Sequence, residues 1–149
     1  MSQKRRKSRG VVDTSVLVAG VAGMKTSVHE NSVASAKFVQ RWVEQRTFVW
    51  LISDEILEEY REVLARLGVR GSLIGKIVNT LRAKGERVKS GPTRNLSPDR
   101  DDNHICDCAE YGDADFIVTL NPKDFPQASL RAKVISPSDR ARSAHSKSA

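Results

Sequence analysis

The chain has 149 residues, with 25 Lys+Arg against 18 Asp+Glu and a formal net charge of +7. That length suits one domain with a sizeable core; two cysteines, nine glycines and five prolines exclude a disulfide scaffold, a fibrous repeat and a multidomain enzyme. The excess charge sits at the ends: residues 1–10 carry five bases and residues 140–149 carry three, with no acid in either stretch, while residues 11–139 hold 17 bases against 18 acids. Residues 1–9 and 139–149 therefore read as basic disordered arms around one domain at 10–138.

No apolar run approaches the roughly 18 residues that span a bilayer, so no membrane association is expected. A basic cluster from Lys4 to Arg9 precedes the apolar stretch from Val11 to Met24, the outline of a signal peptide, but Asp13 lies inside that stretch. Together with only two cysteines, this points to a reducing, cytoplasmic setting.

In chain order, Gly10–Asp13 is a β-branched run bounded by glycine and reads as a buried strand leading into a helix or turn. Residues 20–31 read as a Gly/Ser/Thr/His loop, with Asn31 able to cap a helix from Ser32 to about Arg46. Thr47–Ile52 is a second strand. Ser53 caps a helix to Leu67, with Asp54 and Glu55 in its first turn and Gly68 as its stop. Ser72–Lys84 is another helix, Glu86–Lys89 a short strand, Ser90–Pro98 a loop and Asp101–Tyr111 a short helix. Ala114–Leu120 and Val134–Ile135 are the remaining strands. Strands alternating with helices predict a three-layer α/β/α sandwich around a central parallel sheet.

Sites in such sheets form beyond the carboxyl ends of the strands. Asp13 ends the first strand, Glu55, Glu58 and Glu59 open the helix after the second, and Asn121 and Asp124 follow the Ala114–Leu120 strand. At about 100° per residue, Glu59 falls at the edge of the apolar stripe made by Ile56, Leu57, Tyr60, Val63, Leu64 and Leu67, whereas Glu55, Glu58 and Glu62 turn toward solvent. In the later helix Asp102 aligns with Cys106 and Ala109 on the apolar face; Asp101, Asp107 and Glu110 point elsewhere, and His104 lies opposite Asp102, as a surface residue. Several acids on one sheet edge repel unless a cation joins them, and oxygen ligands from separate elements suit Mg²⁺ or Mn²⁺. His29, in the early loop, reads as solvated. Cys106 and Cys108 are two apart on a helix and cannot converge on one ion, so they read as core thiols.

Three segments carry a resemblance: VVDTSVLVAG, SDEILEEYREVL and DRDDNHICDCAEYGDADFIVTLNPKDFP. Together they resemble the signature segments of the PIN-domain family, which includes the VapC-type toxins of toxin–antitoxin pairs. The resemblance implies Mg²⁺- or Mn²⁺-dependent cleavage of RNA, with Asp13 and Asp102 as catalytic metal ligands, Glu59 as a direct or water-mediated ligand, and Ser15 and Thr119 in support. The family's usual fourth acid falls on Asn121, which resembles a subset reading Asn before Asp-Phe. Asp124 is then a candidate for the missing charge, with Asn121 left a carbonyl ligand or a turn former. The resemblance also implies a homodimer and a silencing antitoxin partner. Within the domain, residues 61–100 hold ten bases against three acids, and residues 101–124 one base against seven acids. A basic surface beside an acidic site suits an RNA backbone, with Arg82, Lys84, Arg87 and Lys89 as the candidate contacts. The alternative is a PIN-like RNA- or partner-binding module whose site is weakened by Asn121. A haloacid-dehalogenase-type phosphatase is excluded by Ser15, where it needs a second Asp, and a receiver domain by TFVWLIS, which offers no phospho-accepting Asp.

Overall fold

The computed structural model describes residues 7–25 and 30–140. Its sheet has five parallel strands: β1 (Arg9–Val12), β2 (Val49–Ile52), β3 (Glu86–Arg87), β4 (Phe116–Val118) and β5 (Lys133–Ile135), in the order β3-β2-β1-β4-β5. The central strands are β-branched and fully buried, as a sheet covered on both faces requires: Val11, Val12, Leu51, Ile117 and Val118 are all at 0% exposure. The helices are α1 (Thr14–Lys25), α2 (Glu30–Gln45), α3 (Asp54–Arg66), α4 (Gly71–Lys84) and α5 (Asn103–Tyr111). Side chains alternate across each strand. Trp50 joins α1, α2 and α4 on one face, while Leu51 meets the C-terminal end of α5 on the other. The result is the α/β/α sandwich expected from the sequence.

Four differences have physical reasons. Residues 20–25 are helical and not loop, because the glycine at 20 permits close packing and does not stop the helix; a Cβ there would lie 2.9 Å from Val39 Cγ2 and 3.2 Å from the Ser35 carbonyl of α2. The described part of α2 starts at Glu30, ahead of the Asn31 cap position, and His29 lies outside the described residues. Arg9 and Arg140 belong to the fold and not to arms. Arg9 opens β1 and pairs with Glu86 at 2.6 Å, and the Arg140 guanidinium sits 4.7 Å from the Phe116 ring centroid. Residues 1–6 and 141–149 lie outside the described residues. Finally, the helix expected from Asp101 is a 3₁₀ turn over Arg100–Asp102 followed by α5, and this break changes what faces the site.

Core packing is dense on the α2 side of the sheet, where Trp42 and Trp50 meet edge-on at 4.9 Å and Phe48 stacks on Trp50 at 6.0 Å. α5 is buried nearly all round, so Cys106 and Cys108 are free core thiols. Burial pushes both up to about 12, which keeps them as inert thiols.

Candidate active site

The carboxyl ends of β1 and β4 lie side by side, since Val12 pairs with Val118 and the Asp13 N–H donates to the Val118 carbonyl at 2.9 Å. That register brings Asp13 against Thr119. Thr119 Oγ1 donates to Asp13 Oδ2 at 2.7 Å and Ser15 Oγ donates to the same oxygen at 2.9 Å. Both hydroxyls are locked in turn, Ser15 accepting from the Leu120 N–H and Thr119 from the Asn121 N–H. Asp13 is only 8% exposed. Burial raises its pKa above the ordinary value; the two hydroxyls oppose the rise and the nearby Glu59 charge adds to it.

Glu59 reaches the site from α3. That helix begins as its sequence dictates, with Ser53 Oγ accepting from the Ile56 N–H. It is anchored by Tyr60, wholly buried, whose hydroxyl donates to the Val12 carbonyl beside Asp13. Tyr60 thus fixes the height at which its neighbour Glu59 stands. Glu59 Oε2 accepts from the Thr14 hydroxyl. Its Oε1 lies 3.2 Å from His104 Nε2. Burial pushes the Glu59 carboxyl up, but the His104 and Thr14 contacts outweigh it and hold the pKa below the ordinary range.

Asp102 is the N-cap residue of α5, half-buried, with no capping bond of its own. Burial, reinforced by the charges of Asp13, Asp99 and Glu59, pushes its carboxyl up to about 6. These mutual effects place Asp13, Glu59 and Asp102 in one electrostatic cluster. Asn121 and Asp124 are exposed, at the start and end of the 3₁₀ turn Pro122–Asp124, where the Asp124 N–H donates to the Asn121 carbonyl at 3.0 Å.

His104 corrects the sequence reading: it is half-buried and ion-paired, not a surface residue. A 100° step per residue holds only within one continuous helix, whereas Asp102 ends a 3₁₀ turn and α5 starts after it, so the step does not apply between Asp102 and His104. Thr14 was also missed; its only signal was a hydroxyl next to Asp13. Asp107 and Glu110, expected to point away, are buried because they tie loops to α5. Asp107 accepts from the Arg94 N–H at 3.1 Å and Glu110 from the Arg131 N–H at 3.2 Å.

The donors fit a hard divalent cation, being carboxylates from the end of β1, from α3 and from the turn before α5, with Thr119 supporting Asp13 and Thr14 supporting Glu59. As the side chains stand, no three His, Cys, Asp or Glu among the described residues enclose a metal position. The candidate RNA contacts divide. Arg87 forms an ion pair with Asp54 at 2.6 Å, and Arg82 adds its field to the same Asp54. Lys89 is exposed just past β3. Lys84 lines a groove with Lys7, Arg46 and Glu86 at the opposite, N-terminal edge of the sheet.

Among the described residues no helix is long and apolar enough to cross a membrane. Comparison with the curated proteins finds no match. Comparison with protein families matches residues 9–123 to the PIN domain, a stretch that runs from β1 into the turn after Asn121 and contains Asp13, Glu59 and Asp102. The chain therefore belongs to the PIN-domain family, whose members are generally nucleases that use divalent metal ions.

Proposed function

We propose that the chain is an endoribonuclease that hydrolyses RNA phosphodiester bonds with Mg²⁺ or Mn²⁺ at the edge of β1 and β4. The observation that carries this reading is the cluster of Asp13, Glu59 and Asp102 at the carboxyl edge of the sheet, whose charges act on one another. Asp13 and Asp102 would hold the cation, with Asn121 and Asp124 at the rim. When bound, the ion would lower the pKa of a water and offset the charge that develops on phosphate oxygens. Ser15 and Thr119 keep Asp13 oriented and ionised. Lys89 and Arg87 would meet the backbone of a single strand crossing this edge.

The same reading makes the chain a VapC-like toxin acting in the cytoplasm, with a second copy and an antitoxin as protein partners. Support for a protein partner comes from an open apolar groove of about 650 Å³ between α1, α2 and α4, lined by Leu17, Val21, Val43, Leu73 and Ile77. Light scattering at tens of micromolar tests the second copy, and a monomer there rejects it. A second reading, a binding module with a weakened site, is favoured by Asn121 in place of an acid. Cleavage of single-stranded RNA by the purified chain with Mn²⁺, with EDTA, and in Asp13→Asn decides between them. The nuclease requires cleavage that EDTA and Asp13→Asn both abolish; binding without cleavage selects the module.

A further inference from the structure

Glu59 has both carboxylate oxygens engaged by the protein itself. Thr14, opening α1, donates to Oε2, and His104, in the first turn of α5, faces Oε1 at 3.2 Å. Two elements thus grip the one acid that α3 contributes. The His104 nitrogen is shut away from solvent and has no other partner among the described residues. Asp102 differs: it makes no capping bond of its own. The other charges acting on His104 are those of Asp102 and Asp13, so the imidazole sits within the acidic cluster and not beside it.

We propose that His104 is a positioning residue for the cleavage reaction: with Thr14 it clasps Glu59, so that this carboxylate meets the reacting water or a cation-bound water while Asp13 and Asp102 ligate directly. The inference rests on the nuclease reading. A carboxylate already engaged by a hydroxyl and an imidazole would have to break both contacts to enter a ligand shell, whereas a water can approach it in place. Partners of this kind that orient site carboxylates typically change activity or metal affinity by about 10- to 100-fold when removed. The clasp predicts that the loss falls on turnover and not on affinity.

The test uses the full chain with His104→Ala, His104→Gln, Glu59→Gln and the His104→Ala/Glu59→Gln double variant. RNA cleavage is measured at saturating Mn²⁺, Mn²⁺ binding without RNA by electron paramagnetic resonance, and stability by thermal melting. His104→Ala should lower kcat by about 10- to 100-fold, with KM for RNA and Mn²⁺ affinity close to wild type. His104→Gln, which keeps a donor within reach of Glu59, should recover much of the rate. The double variant should lose no more stability than the larger single loss, the sign of a direct 59–104 coupling. The proposal is overturned by unchanged kcat per folded molecule in His104→Ala, by a Gln variant no better than Ala, or by Mn²⁺ affinity falling in step with kcat. Absence of 59–104 coupling overturns the clasp whatever the RNA result. Coupling together with a wild-type chain that cleaves no RNA instead rejects the nuclease reading, and His104 is then only structural.

Discussion

Asp102 and His104 are two residues apart at the start of α5, and both give the protein a stability that declines with rising pH. For Asp102, burial and the carboxylates of Asp13, Asp99 and Glu59 raise the pKa from an ordinary 3.8 to about 6. The folded state therefore binds this proton more tightly than the unfolded chain, and its contribution is full below pH 4 and is lost as the pH climbs to about 6. For His104, burial works against the charged form, but the Glu59 contact and the fields of Asp102 and Asp13 raise the pKa above 6.5. Its contribution is full below 6.5 and is lost as the pH passes the folded value. Asp102→Asn removes the first penalty. Because the residue is partly exposed, the gain at pH 7.5 should be about 1–2 kcal/mol and should vanish below pH 4. Thermal unfolding at pH 4, 6 and 7.5 checks this, and a pH-independent difference rejects it. Added Mg²⁺ should raise the melting temperature of the wild type at pH 7.5 and leave Asp102→Asn nearly unmoved, because only a chain that binds the ion when folded is stabilised by it.

At the scale of elements, the sheet and its order follow from residues legible in the sequence: β-branched strands ending at Asp13 and Thr119, and a Ser53 cap placing Glu59 at the stripe edge. What the sequence hides is local backbone geometry. The 3₁₀ turn before α5 turned His104 inward, and close packing of the glycine at 20 on α2 extended α1 past its expected end. Asp107 and Glu110 illustrate a further limit: a helical wheel sees only the sheet, not the loops at Arg94 and Arg131 that cover the other side of α5. Gly10 is a different case, read from the sequence as a strand boundary when it is a contact. In β1 it pairs with Phe116 of β4, and a Cβ would fall 2.2 Å from that ring. Phe116 cannot retreat freely, because it packs edge-on against Phe48 at 5.2 Å and under Arg140. Gly10→Ala should therefore cost about 1–3 kcal/mol through overpacking. Urea unfolding measures it, and the double change Gly10→Ala/Phe116→Leu should recover part of the loss. If the double variant is simply the sum of both losses, ring overlap is not the cause.

For the molecule as a whole, the charge pattern separates two surfaces that a count along the sequence merges. Residues 61–100 look like one basic face, but Arg87 is tied to Asp54 and Lys84 lines a groove at the edge of the sheet opposite Asp13. Arg9, part of the basic N-terminal run, is likewise committed, to Glu86. Only bases near the carboxyl edge can neutralise phosphates of a strand whose scissile bond lies at Asp13 and Asp102. β3 runs toward that edge, since Arg87 pairs with Ile52 and the Val88 N–H donates to the Ile52 carbonyl at 2.7 Å, so Lys89 follows on that side. A cation released from RNA for each contacted phosphate makes affinity fall with salt, by a slope of about 0.7 per contact for a single strand. Lys89→Ala should weaken RNA binding and reduce that slope by about 0.7. Arg87→Ala should weaken it less, because its guanidinium is already engaged by Asp54. Lys84→Ala should leave affinity and slope unchanged. Binding of a short single-stranded RNA to Asp13→Asn, titrated at several salt concentrations, keeps the RNA intact during the measurement. An equal loss from Lys84→Ala and Lys89→Ala would show that the strand wraps both edges of the sheet, and would remove the case for a backbone path confined to the acidic edge.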